Sequence, residues 1–371
     1  MSKKTKEAPS CRLGTVGGEA VLEGVMMKSK TRYSVAVRKE DGTISTVTNP
    51  STSIRQKIKI LNIPIIRGVV GMVESMMLSF KVLSISAEQY GDVGEEAEPS
   101  KFEKWLDKTF GKNLMDFVMV IASVLGIALA LFLFMFLPTL ATKGINLLFA
   151  NNFGYELKDH KWLMNLIEGV IKILIFVLYL SAVSLMKDIK RTFEYHGAEH
   201  KTIFCYESGE ELTPENVKKY KRFHPRCGTS FIFVILIISI LIFSLPFVPW
   251  GNPFLRLLIK LPLLPVVVGI GFEFIMFAGK HDNIITRILS APGLWMQRIT
   301  TREPDLEQIE VAIAALKHSL IEEFPEVAEE EKAKDEAEAQ KESAGDQDAE
   351  GQEENIENDP SDGGEDDTVG S

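Results

Sequence analysis

The chain has 371 residues, 46% of them hydrophobic and 25% charged, with a mean hydropathy of +0.07; this places it in the membrane class without making it a simple helix bundle. Its net charge of -10 is an average over two unlike parts: residues 322–371 carry 21 acidic and 3 basic side chains, whereas residues 1–321 carry 38 basic and 30 acidic ones. Three cysteines, Cys11, Cys205 and Cys227, form no framework for a secreted disulfide scaffold, and Lys3, Lys4 and Lys6 precede no apolar core, so reduced thiols and no cleavable signal peptide are expected.

In chain order, residues 17–27 come first and set Glu19 and Glu23 four apart between glycines. If helical, the two carboxylates share one face and can serve as further metal ligands or orient a histidine; the glycines could equally form an ordinary turn. No Gly-Lys-Ser/Thr accompanies them, which argues against a phosphate-binding loop. Residues 32–38 and 43–48 flank Glu40-Asp41-Gly42 and predict a small β-hairpin unit. The Met-rich stretch 64–87 carries Arg67, Glu74 and Lys81 at seven-residue spacing. That stripe fits a helix lying in the membrane interface better than a fifth span, which would put the termini on opposite sides. Residues 91–99 read as an acidic linker.

Four later stretches, 114–137, 163–186, 229–248 and 255–278, are long and apolar enough to cross about 30 Å of hydrocarbon. An even count puts both termini on one side, and the loop 187–226, rich in Lys and Arg, puts that side in the cytoplasm. Trp162 and Trp250 then mark the outer surface, Trp105 and Trp295 the inner one, while Pro246, Pro249 and Pro253 mark a tight outer hairpin. Beyond Pro304, the residues Leu306, Ile309, Ile313, Leu316 and Leu320 predict an amphipathic helix docked on the cytoplasmic domain; the pattern is too short for a dimer seam. The fold class is therefore mainly α: a polytopic membrane protein with about four transmembrane helices, a small cytoplasmic β-hairpin unit, an interfacial helix and a disordered acidic tail. The expected divisions are 1–113, 114–279 with its loop 187–228, 280–324 and 325–371.

The chemistry concentrates in His196-Gly-Ala-Glu199-His200. On a helix the two imidazoles lie on one face and can reach one cation, with Glu199 placed to take a proton from an activated water. The same order occurs in inverted zinc peptidases. His224 and Cys227 supply a His-x-x-Cys pair just before the third span. Glu273, near the inner end of the fourth span, is costly in lipid unless it coordinates a metal or pairs with a base such as Arg67 or Lys187. His281 and Asp282 follow at the membrane surface. Cys205 reads as a small buried apolar residue, and His160 and His318 have no partner pattern.

Residues 17–27, Ile63-Pro64-Ile65-Ile66-Arg67-Gly68, 195–201, 224–231 and 292–304 together resemble the YqhQ-type bacterial membrane proteins, the family called domain of unknown function 1385 and described as predicted metal-dependent enzymes. The likeness runs from about residue 13 to 320 and leaves out the acidic tail. It implies an integral membrane protein with a metal site formed by His196, Glu199 and His200, with His224 and Cys227 beside it. It implies no substrate. The inverted zinc peptidases share one motif and are soluble, so peptide hydrolysis is one option among several.

Two functions from different classes follow. One is a multi-pass cell-membrane hydrolase in which His196 and His200 hold a divalent metal, Zn²⁺ by preference, Glu273 or His224 completes the site and Glu199 is the catalytic base for a peptide, lipid or phosphoester bond. The other is a scaffold or regulator with a closed His196–His200–His224–Cys227 structural site, contacting anionic lipid or a membrane-protein partner. A transporter fits less well, because no paired repeats are evident. The lipid bilayer is the expected surrounding, and no nucleic-acid partner is expected.

Overall fold

The computed structural model describes residues 12–91, 114–154, 160–245, 250, 252–280 and 284–329, in two units, Met1–Ser319 and Leu320–Ser371. The acidic tail from residue 330 on, residues 92–99 of the expected linker, Trp105, His281 and Asp282 lie outside the described residues.

Residues 17–50 form a four-stranded antiparallel meander, β1 (Gly17–Val21), β2 (Gly24–Lys28), β3 (Arg32–Arg38) and β4 (Ile44–Pro50), in that order. Gly42 makes the β3–β4 turn at φ +85°. The helical option for residues 17–27 is overturned: Val21 pairs with Gly24, and Glu23 turns the chain between them at φ +47°. A non-glycine residue in the left-handed region hides this hairpin from turn chemistry. Glu19 and Glu23 therefore share no helix face. β2 and β3 are apolar at consecutive positions because both faces are covered. Val21, Met26, Tyr33, Val35 and Val37 pack with Val82, Leu78 and Ile85 of helix α1 (Ile66–Gly91), whereas helix α9 (Leu306–Ser319) packs on β2 and β3. Pleat alternation assigns the buried Val25, Met27 and Ala36 to this second face.

The charged stripe of α1 is used up by other elements. Arg67 pairs with Glu273, Glu74 with Arg55 at 3.1 Å, and Lys81 sits over the Tyr33 ring. The same helix exposes Val73, Met76, Met77 and Phe80, so it has a sheet-facing side and an uncovered apolar side. That division suits a helix between a polar domain and lipid.

Four described helices are long and apolar enough to cross a membrane: Ile66–Gly91, Val124–Phe153, Lys161–Val183 and Pro253–Phe277. Four is the expected number, but the membership differs. The expected third span is realised as a shorter apolar helix, α6 (Gly228–Phe243), whose 16 residues rise about 24 Å. The stretch expected to be interfacial is long enough to cross. α2 runs through Leu114–Leu131, a π-helical turn Phe132–Phe136, and Leu137–Phe153. The wide turn lies just before Pro138, which has no N–H for the ladder.

Between α2, α3 (Lys161–Val183) and α7 (Pro253–Lys280) lies a buried polar cluster that the sequence reading did not single out. Glu168 accepts from Arg256 at 2.6 Å, from Thr139 at 3.0 Å and from Lys260; Arg256 also donates to Asn165 and stacks on Trp250. Lys172 is buried over the Phe243 ring. Three cations thus surround one carboxylate.

The first unit also contains the helices α4 (Lys187–Glu207), α5 (Pro214–Lys218) and α8 (Ile284–Thr300), and two short turns of helix, Ile54–Lys57 and Lys59–Asn62, before α1. α9 starts with a reciprocal cap, in which the Gln308 N–H donates to Asp305 at 2.7 Å and the Asp305 N–H to Gln308 at 3.1 Å. It buries Ile309, Ile313 and Leu316, the docked face expected from their spacing.

Candidate metal centre

The 3.6-residue period of α4 stacks His196 and His200 with ring centroids 4.4 Å apart. Cys227 joins them from the start of α6, where its sulfur caps the helix by accepting from the Thr229 N–H at 3.4 Å. His196 Nε2 is 3.2 Å from Cys227 Sγ, and ligand atoms from His196, His200 and Cys227 all lie within 4.8 Å of one another. This is the metal-ligand group found among the described residues.

Both rings are held in the orientation that frees Nε2. His196 Nδ1–H donates to the Thr300 carbonyl at 2.8 Å, and His200 Nδ1–H to that of Arg222. Ligating histidines characteristically carry such an outer hydrogen bond, which fixes tautomer and ring plane. Two imidazole nitrogens and a thiolate suit a borderline cation such as Zn²⁺, and three ligands leave one tetrahedral position open. Burial pushes the Cys227 thiol up, but hydrogen bonding and charge from His200, with hydrogen bonds from Thr229, outweigh it and hold the group below its ordinary value. Burial holds His200 below the usual imidazole range, which favours the neutral, ligating form.

Glu199 lies against β1. A side chain at Gly18 would put its Cβ 2.8 Å from Glu199 Cγ, so only glycine lets the strand approach this closely. Glu199 Oε2 is 4.0 Å from His196 Nε2 and has no hydrogen-bond partner among the described residues. Burial pushes this carboxyl up to about 8, against the pull of His196 and with help from Cys227 and Glu19. Glu19 is likewise raised by burial, and accepts from Ser79 at 2.7 Å. Both carboxylates and the three ligands line a cavity of about 810 Å³.

The Glu199 shift has a pH consequence. Since folding favours the protonated form, this group's contribution to stability is fully present below about pH 4.5 and is lost as pH rises through about 8. Metal-stripped protein should therefore lose up to about 5 kcal/mol across that interval, and Glu199→Gln should flatten the slope. Thermal unfolding at several pH values measures both; parallel slopes in the two proteins would refute the assignment.

The other candidates fall elsewhere. His224 exchanges two 2.8 Å hydrogen bonds with Gln297 through its backbone N–H and C=O, and its Nε2 faces Glu207 at 3.8 Å. Burial raises Glu207, but His224, the Gly14 N–H and Arg226 outweigh it and keep the carboxylate low. His224 thus buttresses the loop and is not in the ligand group. Glu273 is also outside it: both oxygens accept from Arg67, one from Nε at 2.7 Å. Pairing with a base disposes of the carboxylate that the metal reading wanted. Glu23 binds Arg191 and accepts from Tyr195 at 3.2 Å, whereas Cys205 is buried, with its thiol pushed up to about 11 by burial and Glu210.

Two supporting residues, Gln297 and Thr300, had no sequence signal of their own. They are brought in where Gly197 lets the chain after α8 pass: a Cβ there would lie 2.0 Å from the Arg302 carbonyl, and the Arg302 N–H donates to Phe193 at 2.8 Å.

A family described as Protein of unknown function (DUF1385) matches residues 63–322, a range that holds every ligand and both carbonyls that orient the imidazoles. The chain belongs to this family. Within DUF1385, the chain is similar to an Uncharacterized protein YqhQ from Bacillus subtilis (strain 168), with 35% identity over 311 residues, 82% of this chain and 92% of the relative. No solved structure matches.

Proposed function

We propose that this DUF1385 protein is a membrane-embedded, metal-dependent hydrolase with His196, His200 and Cys227 as ligands and Glu199 as the catalytic base. The observation that carries the reading is the convergence of three candidate ligand atoms, with both imidazoles locked by backbone carbonyls, at the wall of a cavity that also receives Glu199, whose Oε2 has no hydrogen-bond partner among the described residues. A divalent ion held by His196, His200 and Cys227 would supply Lewis acidity, and its charge would favour the ionised form of the neighbouring Glu199. Glu199 takes the proton from the attacking water and returns it to the leaving group. Gly18 and β1 close the side behind it, and Ser79 keeps Glu19 turned in the same cavity.

The centre and both termini are assigned to the cytoplasmic face of the cell membrane, supported by the basic loop 187–226 and by the two-sided helix α1. A closed structural cage is the less favoured reading, because its fourth ligand, His224, faces Glu207 instead.

Two measurements test this. Cys227→Ser should lower bound metal by at least about tenfold, more than an outer hydrogen-bond partner typically costs at its mildest, while Glu273→Gln keeps wild-type metal. The reverse result moves the site to Glu273. With Co²⁺ in the full-length protein, added azide should change the visible absorption, as an open position requires; an unchanged spectrum supports the closed scaffold.

A further inference from the structure

The cavity at the metal centre does not end at the ligands. Ser75, Arg226, Cys227 and Gly228 line both it and a second cavity of about 530 Å³. That second cavity runs along α1 from Gly68 to Leu83 and is walled by Met72, Phe80, Phe231 and Phe272. Its lining is almost wholly apolar away from the shared residues, which meet it beside Ser75, midway along this stretch of α1.

We infer that this groove holds one acyl chain of a bilayer glycerolipid, with the ester end at the metal centre, so that the substrate class is an acyl-bearing membrane lipid. The inference rests on the hydrolase reading of the first cavity. Three features of the molecule favour this occupant. The groove lies where α1, α6 and α7 meet, between helices apolar enough for lipid to be their solvent, and α1 exposes Val73, Met76, Met77 and Phe80 beside it. From Ser75, where the two cavities meet, the lined stretch of α1 extends about 11–12 Å at 1.5 Å per residue towards Gly68 and towards Leu83, close to one leaflet's share of the ~30 Å hydrocarbon core. Its volume of about 530 Å³ suits an acyl chain better than a helix, since a helical cylinder 10–12 Å across over the roughly 22 Å from Gly68 to Leu83 occupies about 1,700 Å³ or more. Continuity with the centre supplies the orientation, since the Cys227 thiol stands at the junction and the two carboxylates lie on the polar side. Hydrolysis breaks the ester C–O bond, joins the water oxygen to the acyl carbon, and passes the water's proton through Glu199 to the departing glycerol oxygen.

The test uses full-length protein in phosphatidylglycerol nanodiscs doped with a phosphatidylglycerol that carries a diazirine on one acyl chain. Cross-links should concentrate on Met72, Phe80, Phe231 and Phe272. Ser75 is exposed, so Ser75→Trp should block the junction and cut this labelling about tenfold, the loss expected from displacing roughly two methylenes. Met77→Trp, exposed on the same helix outside the groove, should leave it unchanged. Labels spread over exposed positions such as Leu174 and Leu178 in proportion to exposure, equal labelling in both variants, or displacement of the label by a hydrophobic single-span peptide would each overturn the proposal. Metal content of the same samples separates the two readings. Groove labelling without metal keeps the lipid site and ends the hydrolase; metal without groove labelling does the opposite.

Discussion

His200→Ala should strip the centre of metal, with a loss in affinity of at least about 100-fold, beyond the 10–100-fold typical of outer-shell changes. The ring is buried, faces Cys227 and is one of three proposed ligands among the described residues, and neither other ligand candidate stands ready to replace it, since His224 is turned to Glu207 and Glu273 to Arg67. Glu199→Gln should behave differently. The amide keeps the carboxylate's shape without its basicity, so metal content stays near wild type while hydrolysis of a chromogenic long-chain ester falls by about 10²–10⁴. Elemental analysis of detergent-purified protein beside a turnover assay reads both. Equal metal in wild type and His200→Ala removes the metal centre altogether, and full turnover in Glu199→Gln removes the base.

A comparable effect on stability is expected far from that centre. Glu168→Gln leaves Arg256, Lys260 and Lys172 buried together without their carboxylate, and breaking a buried ion pair from one side costs about 3–5 kcal/mol. Part of that loss should return in Glu168→Leu combined with Lys260→Met, since removing both partners avoids the stranded charge. Leu178→Ala, at an exposed position of α3, is the control and should shift unfolding far less. A loss below about 1 kcal/mol for Glu168→Gln would show that the cluster is solvated in the membrane-bound protein.

The part of the site carried by a single helix was readable in the sequence, because His196 and His200 need only the helical period to meet. Cys227 was legible as a candidate ligand, but not as the member of its pair that turns inward. His224 and Cys227 are three residues apart with ligand-like spacing, and nothing local reveals that His224 anchors to Gln297 while Cys227 turns inward as a helix cap. Glu273 is costly in lipid for a sound reason, and of its two expected remedies, metal coordination or a base such as Arg67 or Lys187, the structure shows the pairing with Arg67. The first hairpin was missed because Glu23 does a turn's work usually given to glycine or asparagine. The Glu168 cluster was passed over since hydropathy averages over a span and blurs single charges within it. The docked helix α9 was legible for the opposite reason, as its period and its Pro304, Asp305 and Gln308 start signals are all local.

The hydrogen bond from His196 to the Thr300 carbonyl orders events during synthesis. All three ligands have been made once residue 227 has been added, yet the ring of His196 has no acceptor for Nδ1–H until the chain has passed through α7 and α8. Gln297, which ties down the loop beneath His224, comes equally late. The nascent protein therefore holds its ligands as a loose set while its last long apolar helix is still being made, and the centre takes its final form only when residues 297–302 fold back onto α4. The proposed metal centre would thus be completed only after membrane assembly, and a chain that stalls before Thr300 carries His196, His200 and Cys227 without the acceptor that orients the first ring.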